Sequence, residues 1–485
     1  VLLHAFETDM TPTPGQPTSD SALPQPRTVV IVGAGFSGAV TAVQLLRQAH
    51  TPLRVILVNE SGRMARGLAY GTQSAAHVLN VPAGNMSALD DVPDDFLRYC
   101  RWSDPQVQPG SFVPRRLYGA YLDALLSAAE VRGDAQTGLL RVVGRVVSIL
   151  PPAGASGRAQ VLLSSGDPLQ ADAVVLAFGH FPPLDPVRGL LADLPAGACI
   201  NDPWRAGALA AVRPDDDVLL IGAGLTAVDV ALALQRQGHA GQLLSISRRG
   251  LAPQSHRRSG VVPSAVDGAA LAQAMGSTLR SAVRGLRQAT AERMARGEDW
   301  RDVVGALRAH TPALWQRWST ADRARFLRHV RPHWEVLRHR CAPEAFDAFT
   351  ALVGAGRLQL MAARLRAVQP CAGGMDLELA PRAGQATLRR RVQVVINCTG
   401  PSADLNRSGS PLIAGLLAQG LLVPDALGLG LAVDPAYKVV GRHGQALPWL
   451  HYIGPLLKAR DWEATAVPEL RSHALRLSSV LLAGG

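Results

Sequence analysis

An α/β fold with parallel sheets is predicted by three observations. Two segments about 190 residues apart each run from a short apolar strand through a glycine turn into an alanine-rich helical stretch. Each is followed by a second apolar strand that ends on charged residues. The same strand–helix alternation spans 28–60 and 217–247, the pattern of parallel strands joined by helical crossovers.

The first strand reads Thr28-Val29-Val30-Ile31-Val32. A continuous β-branched run of this kind suits a strand buried on both faces. The turn Gly33-Ala34-Gly35-Phe36-Ser37-Gly38 follows, then a helix from Ala39 to Gln48. A helix opening directly from a strand leaves its first N–H groups unpaired, and with the positive end of the helix dipole they attract a pyrophosphate. Gly33 allows the tight turn, Gly35 lets phosphate approach the backbone, and Gly38 lets helix and strand pack closely. The strand Arg54–Val58 leads to Glu60, 22 residues after Gly38. A carboxylate at that spacing accepts hydrogen bonds from ribose hydroxyls. The bland alternatives are an ordinary turn and a solvated strand end.

The second unit repeats this logic with different chemistry at its end. Val218–Ile221 precedes Gly222-Ala223-Gly224-Leu225-Thr226-Ala227, and the next strand ends on Ser247-Arg248-Arg249. Arg248 lies 21 residues after Ala227 and so occupies the ribose-reading position. An acid there repels a 2′-phosphate, whereas guanidinium groups grip it through bidentate hydrogen bonds; Ser247 adds a hydroxyl. The competing reading is that two arginines mean little in an arginine-rich chain. Together the units predict two Rossmann-like dinucleotide-binding domains, one for FAD and one for NADPH. The second carries a helical insertion at about 263–342, where composition shifts to Ala, Arg, Leu and Gln.

Between the units, helices are expected at Asp94–Trp102 and Leu117–Glu130, and strands over Leu140–Leu150, Gln160–Leu163 and Ala173–Ala177. The strand endings Phe178-Gly179 and Thr399-Gly400 flank the second unit and suit crossings into and out of an inserted domain. A buried strand is expected at Val392–Ile396, another at Leu450–Ile453 before Gly454-Pro455, and a final helix at about 463–482. The expected organisation is a disordered tail at 1–27, FAD-binding segments at 28–212 and 391–485, and an NADPH-binding domain at 213–390.

Composition narrows the function classes. The 485 residues are 47% hydrophobic and 18% charged, as in globular proteins with a large core. No apolar run reaches the ~18 residues of a transmembrane helix, so no membrane association is expected, and residues 1–27 lack the apolar core of a secretory signal. Cys100, Cys199, Cys341, Cys371 and Cys398 form no Cys-x-x-Cys pair, which argues against a dithiol redox centre and a cysteine metal site; no metal is expected. Unpatterned cysteines fit a cytoplasmic protein. The net charge of +11 comes almost wholly from arginine, with lysine only at 438 and 458, as in proteins of GC-rich genomes. No basic run interleaved with aromatics is present, so nucleic acid is not an expected partner. The positive field instead favours approach of an anionic nucleotide.

These residues resemble bacterial FAD/NAD(P)-binding proteins related to the flavin-dependent N-hydroxylating monooxygenases. The likeness rests on the two glycine turns and on Gly67-Leu68-Ala69-Tyr70-Gly71-Thr72, the segment from Leu79 to Ser87, and Phe112 to Gly119. Further on it rests on Ser247 to Gly250, Arg331 to Glu335, Asn397 to Pro401 and Trp462 to Glu469. The resemblance implies that Asn80, Asn85, Met86 and Ser87 lie near the flavin ring and that Arg115 or Arg116 touches the cofactor. Many flavoprotein reductases carry an Asp after the late glycine, but here Pro455 follows Gly454. Backbone around Gly454 and the start of the last helix near Thr465 are then expected to hold the flavin.

The implied activity is an NADPH-consuming flavin monooxygenase that acts through a C4a-hydroperoxide, with O2 and a small polar substrate, such as an amine or amino acid for N-hydroxylation. Alternatives are an NADPH-dependent reductase passing electrons to a quinone or protein partner, and a non-catalytic FAD-binding redox sensor. No catalytic dyad or triad stands out. Arg331, His333 and Arg338 are the substrate candidates, since Arg331 and Arg338 are seven apart and share a helical face. The insertion suits either a dimer surface in a homo-oligomer or a lid.

Overall fold

The computed structural model describes residues 26–72, 77–133, 136–154, 157–187, 189–191, 194–195, 197–258, 260–382, 384 and 386–484. The tail expected at 1–27 lies outside the described residues except for Pro26 and Arg27.

Two sheets are built on one plan. The first contains β1 (Arg27–Val32), β2 (Leu53–Asn59), β3 (Thr137–Val143), β7 (Ala173–Leu176), β15 (Lys438–Val440) and β16 (Ala446–Tyr452), in the order β15-β16-β7-β1-β2-β3. All its pairs are parallel except β15 with β16. A small antiparallel sheet of β4 (Val146–Leu150), β5 (Ala159–Leu163) and β6 (Leu169–Ala171) precedes β7.

The second large sheet contains β8 (Cys199–Ile200), β9 (Val218–Ile221), β10 (Leu243–Ser247), β11 (Leu358–Cys371), β12 (Gly374–Pro381), β13 (Leu388–Val392) and β14 (Val394–Asn397). Its order is β13-β12-β11-β10-β9-β14-β8, parallel from β8 to β11 and antiparallel through β12 and β13. In each sheet the glycine-turn strand (β1, β9) lies between the strand that follows it and one that arrives much later. That is a topological switch point, where ligands bind at the carboxyl ends of open α/β sheets.

Most expected elements form within a few residues of their predicted bounds, and the departures have local causes. The strand expected over Leu140–Leu150 breaks at Gly144 into β3 and β4. The strand expected at Val392–Ile396 is two strands. Val392 ends β13 and Val394 begins β14, because Gln393 turns out of both, its amide donating to Gly373 O at 2.9 Å and accepting from Asp217 N at 2.8 Å. The last helix starts at Val467, where Pro468 occupies the first turn.

The chain leaves the first sheet after β7 and returns to it from β14. The two crossings pair with each other, Phe181 and Ser402 exchanging backbone hydrogen bonds at 3.0 Å. Between β10 and β11 lies a helical segment from Gly268 to Arg338, followed by helix Pro343–Gly354. That last helix packs on Leu225–Arg236 as a normal crossover helix, so the preceding helices are the insertion. They form their own apolar cluster (Leu279, Leu307, Leu314, Trp315, Trp318, Phe326, Trp334), which takes in Ala459 and Trp462 from the C-terminal segment.

Candidate functional site

At the first switch point Val32 is in register with Val58 and Leu176, so Gly33, Glu60 and Ala177-Phe178 converge beyond one sheet end. Gly33 has φ +109°, and a Cβ there would lie 2.7 Å from the Ala177 carbonyl oxygen. A Cβ on Gly38 would overlap the Gly33 carbonyl. Both positions therefore require glycine for packing. Gly35 caps helix Phe36–Gln48 with no side-chain hydrogen bond, which leaves its opening N–H groups free for an anion. Phe36 is buried against Tyr118 and Tyr70. Ser37 is buried, and its carbonyl accepts from Thr41 Oγ1 at 2.8 Å. Glu60 sits just past β2, exposed, in an ion pair of 2.7 Å with Arg145.

The segment expected beside a flavin runs into Ala88, whose N–H donates at 3.1 Å to the Tyr121 hydroxyl, on the helix whose Tyr118 stacks on Phe36. Met86 and Ser87 are buried, Asn85 is exposed, and the Asn80 carbonyl accepts from His256 Nε2 at 2.9 Å. The Ser87 hydroxyl is engaged with the carbonyls of Leu89 (3.0 Å) and Val92 (2.6 Å). Arg116 is exposed, whereas Arg115 ties the two units together. Arg115 donates to Val78 O at 3.0 Å, lies over the Trp204 ring, and pairs with Asp229 of helix Leu225–Arg236 at 2.8 Å. Burial raises the Asp229 carboxyl above its usual range, against the pull of Arg115 and His77. Gly454, at φ +141°, packs over the Tyr452 hydroxyl, which donates to Phe178 O at 3.0 Å. Thr465 is half-buried just before the last helix, whose start has no side-chain cap.

The second switch point repeats the first. Gly222 has φ +119°, and a Cβ there would strike the Cys398 carbonyl. Ala227 is fully buried where Gly38 stands in the first unit. A Cβ on Gly224 would meet nothing within 4 Å, so the opening of helix Leu225–Arg236 faces open space beside half-buried Leu225 and Thr226. Ser247 Oγ accepts from Gly250 N at 2.9 Å and closes the turn that carries Arg248 and Arg249.

These two arginines line a cavity of about 490 Å³ together with Arg328, His329, Arg364, Arg366 and Arg382. Among the described residues no carboxylate lines it and none of its six guanidiniums has an ion pair, although Glu335 is near enough to attract Arg248. Burial, and then the charges of Arg331 and Arg249, pull Arg248 below its ordinary pKa. This donor set fits a 2′-phosphate. The sequence reading missed Arg364, Arg366 and Arg382, whose only signal was the alternation of basic residues along β11 and at the end of β12.

The substrate candidates separate. His333 is exposed near Arg249 and Arg382, and burial and these cations lower its pKa. Arg331 pairs with Glu335 at 3.5 Å. Arg338 turns inward and pairs with Glu463 at 3.0 Å. Glu463 is 2% exposed and also accepts from Trp334 Nε1 at 3.2 Å. Nearby, Arg308 holds Glu469 at 2.7 Å, and Trp315 Nε1 donates to Ala459 O at 3.0 Å. Lys458, also unflagged in sequence, lies over the Trp462 ring and 4.0 Å from Glu335. The insertion thus docks on residues 459–469 of the first unit.

Residues 30–181 match the family model described as FAD-NAD(P)-binding. No curated protein matches the sequence. Among solved structures, an ornithine N-hydroxylase from Kutzneria sp. 744 superposes with a TM-score of 0.62 at 15% identity, covering 95% of this chain and 100% of that one. L-lysine 6-monooxygenase from Pseudomonas syringae gives 0.65 at 19% identity, over 94% of this chain and 99% of that one. The FAD-bound cadaverine monooxygenase of Erwinia amylovora gives 0.63 at 13% identity, over 94% of each chain. At these identities the likeness establishes the fold, that of flavoproteins with two dinucleotide-binding units.

Proposed function

We propose that this protein is an FAD-dependent, NADPH-consuming oxidoreductase, a monooxygenase that acts on a small polar amine. The observation that carries this reading is the opposite chemistry of two matched switch points. An accessible carboxylate, Glu60, stands at the ribose position of the first, and an acid-free arginine cavity stands at that of the second. Only a nucleotide with a 2′-phosphate profits from the second, and such a nucleotide is repelled by the first.

Gly33, Gly35, Phe36, Ser37 and Gly38 would cradle the FAD pyrophosphate, and Glu60 would accept from its ribose. Asn80, Asn85, Met86, Ser87, Gly454 and Thr465 would flank its ring. Gly222, Gly224, Leu225 and Thr226 would receive the NADPH pyrophosphate, while Ser247, Arg248 and Arg249 hold its 2′-phosphate. Bound flavin supplies hydride acceptance and oxygen activation. The chain supplies alignment and dryness. The Arg115–Asp229 pair fixes one unit against the other, and the docked insertion screens the cleft from water. The relatives of known structure named for ornithine, lysine and cadaverine support an amine substrate.

The test mixes the flavin-loaded protein with NADPH and candidate amines in air and follows NADPH, oxygen, hydrogen peroxide and hydroxylated product. Consumption of NADPH and oxygen in step with product is expected. Flavin that stays oxidised under anaerobic NADPH refutes the enzyme reading, and rapid reduction without oxygenated product favours a reductase. Arg248→Ala with Arg249→Ala removes two charge-assisted contacts, each about 1.5–3 kcal/mol. The KM for NADPH should then rise roughly a hundredfold or more, with that for NADH little changed.

A further inference from the structure

Between the loop carrying Asn85 and the insertion lies a second cavity, of about 430 Å³. Asn85, Ser264 and the ionisable His256, Arg257, Arg301, Asp302 and Arg340 supply its polar lining. Its charges do not balance. Arg257 is held by Asp302 at 2.8 Å and Asp299 at 3.1 Å. Arg301 is held by Asp299 at 3.2 Å and donates to Ser255 O at 3.0 Å. His256 brings no charge, because burial lowers its pKa to about 4 and its Nε2 is engaged with Asn80 O.

Arg340 is the cation left over. Among the described residues its guanidinium has no ion pair, and its Nε is buried without a hydrogen-bond partner. The group lies 5.8 Å from the centre of the Trp300 ring, a contact that uses the guanidinium face and not its N–H edge. Burial, and then the charges of Arg338 and Arg301, pull its pKa down to about 10, against the weaker opposing pull of Asp299, which is already paired with Arg257 and Arg301. A half-buried, unpaired guanidinium is costly unless an anion meets it. Its planar fork matches a carboxylate bidentately. The cavity has the size of a small-molecule site, and Asn85 belongs to the segment assigned above to the flavin.

We propose that this cavity receives the carboxylate end of the substrate, with Arg340 as the binding residue, so that the protein acts on an amino-carboxylate in preference to the corresponding simple amine. The inference rests on the reading of this cleft as the flavin site.

The probes are pairs that differ only by a carboxylate: L-lysine against cadaverine and L-ornithine against putrescine. Binding to the flavin-loaded protein is measured by equilibrium dialysis without NADPH, so the result stands whether or not hydroxylation occurs. In the native protein the acid of at least one pair should bind about tenfold tighter or more, the worth of one charge-assisted contact. Arg340→Gln should bring that ratio close to one, and Arg340→Lys should restore part of it. Equal binding of acid and amine by the native protein, binding of neither, or a ratio unchanged in Arg340→Gln overturns the proposal. If Arg340→Gln does not fold, the native ratio and Arg340→Lys decide. Failure of hydroxylation with the binding preference intact would refute only the monooxygenase reading.

Discussion

Glu463→Leu is expected to loosen the insertion from the first unit, and the structure sets the size of the effect. The Arg338 side chain is 10% exposed and that of Glu463 2%, with 3.0 Å between them. Removing one partner of a buried pair strands the other charge, at about 3–5 kcal/mol. Glu469 lies 4.0 Å from Arg338 and offers partial compensation, although Arg308 already engages it. The lower end, about 3 kcal/mol, is therefore expected, with the loss of the Trp334 hydrogen bond included in it. Arg338→Leu should cost a similar amount. The double variant should recover much of the loss, because two apolar side chains remove both desolvation penalties at once. The double variant should then cost less than either single one, which makes the coupling energy about 3 kcal/mol or more, at the top of the range for contacting residues. Native-state hydrogen exchange of helix Arg331–Arg338 reads the local opening free energy, and Trp315, Trp334 and Trp462 report the same interface by fluorescence. Additivity of the single variants within about 0.5 kcal/mol would refute the argument that this pair couples the insertion to the first unit.

Gly224→Ala should fold normally, since its Cβ would meet nothing within 4 Å, yet weaken NADPH binding by roughly tenfold by filling the phosphate approach; calorimetry beside flavin content checks both halves. Arg364→Glu, placed in the arginine cavity, should raise the NADPH KM more than Arg364→Gln does and steepen no dependence on NADH, as steady-state kinetics with both nucleotides will show. Acid should destabilise the protein through His451, which is 3% exposed, with burial and then Lys438 lowering its pKa to about 4. The unfolded chain takes up this proton below histidine's ordinary pKa of 6.5 while the folded one does so only near 4. Stability is therefore full above that window and falls as the pH drops through it, by on the order of 3 kcal/mol. Denaturant titrations of His451→Gln between these pH values should show a shallower fall, and an unchanged slope would count against the assignment.

The twin turns were legible because their geometry is local. A β-branched strand, a glycine at positive φ and an uncapped helix follow one another within a dozen residues, and Gly33 and Gly222 meet the same kind of backbone in their two sheets. Glu60 and Arg248 were legible for the same reason, each closing the next strand. Arg364, Arg366 and Arg382 were not, since their place beside Arg248 depends on β11 pairing with β10 across the whole insertion. Arg338 was half legible. The spacing put it on one helix with Arg331, but periodicity does not say what each side chain meets, and Arg331 meets Glu335 while Arg338 meets the buried Glu463.

From the sequence alone came the α/β class, the two glycine turns and the sign of the charge at each ribose position, all set by residues near one another in the chain. Tertiary structure alone decided that six arginines share one cavity, that Arg115 and Asp229 join the units, that the insertion docks on 459–469, and that Arg340 keeps a cation without a partner. The physical reason is that charge pairing and cavity shape depend on which distant strands and helices meet, and a guanidinium's role is set by whether a carboxylate arrives beside it.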